Sequence, residues 1–113
     1  MSERRTWTCY RCGQPVISGM KFTFTSKGPI HWECFRAEVK DFFNGVIPED
    51  VNVLLELIDY LNEGIIKAKE LEVRASDSVR QSIVSRRKVF EGEAARLMKE
   101  LDTIMRSNWN RGT

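Results

Sequence analysis

Apolar and polar residues alternate from Met20 to Thr25, with Phe22 and Phe24 on one face and Lys21, Thr23 and Thr25 on the other. That period of two predicts a half-buried strand. Ser26-Lys27-Gly28-Pro29 follows as a turn, and Ile30 begins the return strand that delivers His31. Upstream, Thr6-Trp7-Thr8 and Pro15-Val16-Ile17 read as short strands entering and leaving a tight knuckle. From about Trp32 the period lengthens to that of a helix, with Phe35, Val39, Phe42 and Val46 at i, i+4, i+7 and i+11, and Asn44-Gly45 supplies a stop.

A second helix begins at Ile47-Pro48-Glu49-Asp50, where proline suits the first turn and the acids suit the positive end of the helix dipole. Leu54, Leu57, Leu61, Gly64, Ala68, Leu71 and Ala75 then recur at alternating steps of three and four, the pattern of a helix packed along a partner helix. Leu55, Ile58, Ile65 and Ile66 add apolar surface beyond that seam. Ser76-Asp77-Ser78 interrupts, and Ser78 with Gln81 fits a capping box for a third helix. Its stripe runs Val79, Ile83, Phe90, Ala94, Leu97, Leu101 and Ile104, with an end expected near Ser107.

The short break between two long helices predicts an antiparallel hairpin, whose second helix would run about 40 Å and so project beyond a small module. The fold class expected is α+β: a small metal-supported β-hairpin module over 1–47, a long antiparallel α-helical hairpin over 48–107, and a loose polar tail over 108–113.

Chemistry concentrates in the first part. Cys9-Tyr10-Arg11-Cys12-Gly13 and His31-Trp32-Glu33-Cys34-Phe35 form the pattern C-x2-C-x18-H-x2-C, and they contain every Cys and His in the chain. Three thiolates and an imidazole in two i, i+3 pairs predict a structural site for one zinc ion, with Cys9, Cys12, His31 and Cys34 as ligands. The same donors would also accept iron. Gly13 fits a ligand turn that needs a positive φ. A thioredoxin-like redox pair is disfavoured because Gly-Gln-Pro follows Cys12 where a helix should open. A disulfide framework is disfavoured by the odd count of three Cys.

At these residues the chain resembles the first zinc-binding half of a LIM domain and, more broadly, a treble-clef finger. The likeness covers about residues 7 to 45, and no further Cys or His follows to build the second site that a whole LIM domain has. It implies a zinc-supported interaction module. A single LIM-like half followed by a helical tail also resembles small uncharacterised archaeal zinc-binding proteins, a resemblance that implies no activity.

Composition narrows the picture modestly. With 113 residues, 42% apolar and 30% charged, the chain is an ordinary globular one. Met1-Ser2-Glu3-Arg4-Arg5 is not followed by an apolar run, so no signal peptide or membrane span is expected, and a cytoplasmic location suits thiols kept reduced for a metal. Charge is uneven: residues 1–47 carry seven Lys/Arg against four Asp/Glu, net +3, and the remainder eleven against twelve, net −1.

Arg80, Arg86, Arg87 and Lys88 are expected to pair across the hairpin with Glu63, Glu70 and Glu72. Arg4, Arg5, Arg11, Lys21 and Lys27, interleaved with Trp7, Tyr10, Phe22 and Phe24, are candidates for a nucleic-acid-binding face. No catalytic constellation is legible, because the single His belongs to the metal set and no Gly-rich phosphate loop is present. The expectation is therefore a non-enzymatic zinc-binding adaptor whose helical hairpin binds a protein partner or a second copy as a homodimer. The alternative is a nucleic-acid or ribonucleoprotein accessory factor acting through the basic module.

Overall fold

Two short β-hairpins and three helices make up the computed structural model, which describes the backbone of residues 7–112 and the side chains of residues 7–107. Backbone contacts divide the chain into two units, Met1–Ile47 and Pro48–Thr113. The architecture is α+β, with the hairpins leading into a long helical pair.

In the first unit, β1 (Trp7–Thr8) pairs antiparallel with β2 (Pro15–Val16), and β3 (Phe22–Thr25) pairs antiparallel with β4 (Gly28–His31). The return strand thus starts at Gly28, before the Ile30 expected, and leaves Ser26 and Lys27 alone as the loop. Pro29 is tolerated because these two-stranded ladders leave an outer edge free of inter-strand demand for its missing N–H. Its carbonyl accepts the Tyr10 N–H at 3.1 Å, which ties the knuckle to β4.

Ladder register decides which face of β3 meets the core. Thr23 lies opposite Ile30, which is fully buried, while Phe22 and Phe24 lie opposite His31 and Pro29. Paired residues project to the same side, so the core side belongs to Ile30 and Thr23. Phe22 and Phe24 instead cluster with Trp7, ring centroids 5.3–5.7 Å apart, and Phe24 remains 53% exposed. The core of the unit is Val16, Ile30, Trp32, Phe35 and Val39.

The first helix, α1 (Trp32–Phe42), begins directly on His31 and ends in a Schellman motif. Gly45 N–H donates to the Lys40 carbonyl at 2.8 Å and Asn44 N–H to that of Asp41 at 3.1 Å, with Asn44 at φ 56° and Gly45 at φ 92°. That early stop carries Val46 off the helix, so it does not extend the α1 stripe and is 80% exposed.

The second unit pairs α2 (Glu49–Arg74) with α3 (Asp77–Gly112). α3 starts one residue before Ser78, which therefore sits inside the first turn and does not cap it. It also continues through Gly112, past the stop expected at Ser107, since no proline interrupts 108–112. Burial on α2 centres on Val51, Leu55 and Ile58, whereas Leu57 of the expected seam is exposed. A helix this rich in apolar residues holds two stripes side by side, and packing selects between them. Leu55 and Ile58 are accordingly core residues and no longer surplus surface.

Gly64 and Phe90 meet where the helices cross: a Cβ built on Gly64 would lie 3.0 and 3.1 Å from Phe90 ring atoms, while one on Gly92 would meet nothing within 4 Å. Arg87 bridges to α2 through Glu72, with its Nε 2.5 Å from Oε2, and to Glu91 at 3.0 Å.

Helix propensity favours alanine over glycine by about 1 kcal/mol. Gly92→Ala should therefore raise hairpin stability by about that amount in urea unfolding followed by far-UV circular dichroism. Gly64→Ala should fall clearly short of it, because the new methyl must displace Phe90. Equal gains at both positions would refute the close packing at Gly64.

Candidate metal centre

Each ligand is placed by a different local rule. Cys9 and Cys12 sit in the turn joining β1 to β2, closed by Cys9 N–H to the Gln14 carbonyl and Gly13 N–H to the Cys9 carbonyl, both 2.9 Å. Gly13 holds φ 77° there, a conformation that side-chain-bearing residues rarely adopt. His31 ends β4 and is the N-cap residue of α1, and Cys34 lies in the first helical turn. Trp32 N–H donates to the Lys21 carbonyl at 2.9 Å, which fixes the strand-to-helix corner between them.

The ligand atoms of Cys9, Cys12, His31 and Cys34 all lie within 4.8 Å of one another. His31 Nδ1 is 3.2 Å from Cys12 Sγ and 3.9 Å from Cys34 Sγ. These values bracket the N–S edge of about 3.6 Å that follows from ordinary zinc bond lengths in a tetrahedron. The other ring nitrogen, Nε2, is 2.8 Å from the Pro15 carbonyl, which it can meet only as a donor. Nδ1 is thereby left as the bare nitrogen for a metal, and the imidazole plane is set from outside the ligand shell. The four residues fit one metal ion as a Cys3His set.

The thiols differ in environment. Burial raises the Cys9 thiol, but the N–H groups of Cys12, His31 and Arg11 and the Cys12 thiol outweigh it and bring it down to about 6. Burial, then the neighbouring Cys12 and Cys9 sulfurs, push Cys34 up to about 11. A cation at the centre of the cluster would offset both the burial and the neighbouring sulfurs that raise the Cys34 thiol.

The two residues between the first ligand pair also have work that spacing did not reveal. Tyr10 Oη donates to Glu38 Oε2 at 2.6 Å, and Arg11 pairs with Asp41 at 2.8 Å, so both clasp α1. Lys27 joins Glu38 at 3.4 Å and lies 5.7 Å over the Tyr10 ring. A sequence signal existed, since Glu38 and Asp41 are one helical turn apart on α1.

Of the proposed basic face, then, Arg11 and Lys27 are engaged with α1 acids, Lys21 is half-buried, and Arg4 and Arg5 lie outside the described residues. Tyr10, Trp7 and Phe22 are half-buried as well. Among the described residues no helix is long and apolar enough to cross a membrane.

Residues 5–103 match the model of a family described as "Uncharacterized protein conserved in archaea (DUF2175)". The chain belongs to that family. The match spans the metal cluster and most of the helical pair, so the family unites both units in one chain. No curated protein and no solved structure matches the chain.

Two outcomes test the clasp. Tyr10→Phe combined with Arg11→Ala should weaken metal retention about tenfold in competition with a chromogenic chelator, the cost typical of losing support around ligands. Burial, and then the hydrogen bond to Glu38, raise the Tyr10 hydroxyl from 10.0 to about 12. A raised value means that its contribution to stability is complete below pH 10 and is lost as pH climbs through about 12. Ultraviolet titration should thus show a late phenolate, advanced to lower pH by Glu38→Gln.

Proposed function

We propose that this protein is a non-catalytic adaptor, in which one zinc ion supports a LIM-like, treble-clef-like module and the helical hairpin associates with protein, in the simplest case a second copy of itself. The observation that carries the reading is the closed ligand set: four protein donors converge within 4.8 Å. A tetrahedral ion held by all four has no position left for a water or a substrate, which is the mark of structural zinc. A unit of this size buries too little to fold unaided, so the ion supplies the stability and the surface supplies the function. Reduced thiols suit a cytoplasmic setting.

Phe24, 53% exposed on a cluster with the half-buried Trp7 and Phe22, is the aromatic surface such a module would present, since aromatic side chains dominate protein contact energetics. The same cluster is the one observation favouring nucleic acid, whose unstacked bases also pack on aromatic rings. The engagement of Arg11 and Lys27 with Asp41 and Glu38 weighs toward protein.

Metal analysis of freshly purified protein should give one zinc per chain. Chelation should abolish the near-UV circular dichroism of the aromatic residues while the helical far-UV signal of the hairpin persists. Less than one metal per chain, or a Cys34→Ser variant indistinguishable from wild type, would refute the structural-zinc reading.

To separate the two partner classes, labelled single-stranded RNA and duplex DNA are titrated at low and physiological salt. Weak binding that falls on the order of a hundredfold with salt fits nonspecific charge alone. Tight binding that survives physiological salt and is lost when Arg4, Arg5, Lys21 and Lys27 become Gln would establish the nucleic-acid reading.

A further inference from the structure

A second apolar stripe runs along α2, away from the residues that the unit buries. Val53, Leu57, Tyr60 and Leu71 are exposed, Tyr60 to 72% and Val53 to 51%. With Lys67 and Gly64 between them, Gly64 lying at the edge where Phe90 of α3 packs, they follow an unbroken alternation of four and three, the spacing of a helix that packs along another helix. At about 100° per residue the stripe falls roughly opposite Val51, Leu55 and Ile58. One neighbouring helix cannot cover two opposite faces.

The charges say what can. Between Glu49 and Ile66 all five charged residues are acidic, whereas residues 67–88 carry seven Lys/Arg against three Asp/Glu. Glu49, Asp50 and Glu56 at the one end, and Lys67 and Arg74 at the other, are exposed. The hairpin is thus acidic where α2 begins and basic around its own turn. Such a body complements a copy of itself in the antiparallel sense and repels it in the parallel sense.

We propose that this stripe docks against the same stripe of a second copy of the chain, the two α2 helices running antiparallel about a two-fold axis that crosses the stripe midway between Tyr60 and Gly64. That axis sets Val53 opposite Leu71, Tyr60 opposite Gly64, and Asp50 opposite Arg74. It therefore joins apolar to apolar and acid to base, and brings Tyr60 to the Phe90 ring that packs over Gly64 and is itself 37% exposed. Leu57 lies against Lys67, whose aliphatic stem covers it while the ammonium reaches water. The contact is isologous, so it closes at two copies and leaves the stripe with no free end to propagate. It deepens the self-association in the proposed function and rests on that reading, naming its face and direction. It is independent of the metal site, which lies in the other unit.

The test is sedimentation equilibrium of the full zinc-loaded chain at low and physiological salt. Wild type should be a dimer that weakens several-fold as salt rises, because screening removes an attraction. Leu57→Glu with Tyr60→Glu should give a monomer of unchanged far-UV circular dichroism, both positions being exposed. A variant with Glu49, Asp50 and Glu56 changed to Lys should not pair with itself at low salt. It should pair with a variant in which Lys67 and Arg74 become Glu.

A wild-type monomer at high micromolar concentration would overturn the inference together with self-association. A dimer untouched by the Leu57 and Tyr60 changes would overturn the proposed face while leaving self-association standing. Association that strengthens with salt would overturn the antiparallel arrangement.

Discussion

Four side chains from the knuckle turn, the end of β4 and the first turn of α1 have to meet at one point, and nearly everything else in the N-terminal unit is arranged so that they do. The apolar core available there is small: Val16, Ile30, Trp32, Phe35 and Val39 are its buried side chains besides Cys9. Burial on that scale does not offset the conformational entropy of ordering a unit of this length. A metal bound by three thiolates and an imidazole contributes on the order of 10 kcal/mol in comparable small modules, and the Cys9, Cys12, His31 and Cys34 set could hold one here. The strands can be as short as two residues because they direct ligands and do not have to hold a sheet together.

Support for the ligands comes from outside them. The Pro15 carbonyl orients His31, and Tyr10 and Arg11 reach from the knuckle to Glu38 and Asp41 on α1. The hydrogen bond from Tyr10 is short and partly buried, and it joins the knuckle to α1 beside the Arg11–Asp41 pair. Individually, exposed ion pairs of this kind contribute little. Their value lies in holding the first ligand pair in register with the second, which lowers the cost of closing the site.

The C-terminal unit solves a different problem. It has no cross-link and gains its order from two long helices whose contact is locked by shape at Gly64 and Phe90 and by charge at Glu72 and Arg87. The Arg87 guanidinium beside it holds the Glu72 carboxyl below its usual range. Hairpins of this kind spend one face of each helix on the partner, and α2 is apolar on more than one. Val53, Leu57 and Tyr60 belong to the part of that surface left exposed.

Much of this architecture could be read from the residues alone, because the signals involved are local. Ligand spacing, the turn glycine at 13, the stop at Asn44-Gly45 and the helical periods each depend on a few neighbouring residues, and each matches what the backbone adopts. Where several outcomes shared one local pattern, tertiary packing decided. Alternation from Met20 to Thr25 shows that the two faces of β3 differ, but only the pairing of Thr23 with the buried Ile30 shows which face joins the core, the phenylalanines packing with Trp7 instead. Apolar residues at 51, 55 and 58 compete with those at 54, 57 and 61 at the same spacing, and packing selected the first set. The charges of Arg11 and Lys27 were plain from the sequence, yet their engagement depends on α1 folding back to present Glu38 and Asp41. A local pattern specifies an element and its amphipathic character; which face is buried, and which charge is neutralised, is set by contacts between residues far apart in the chain.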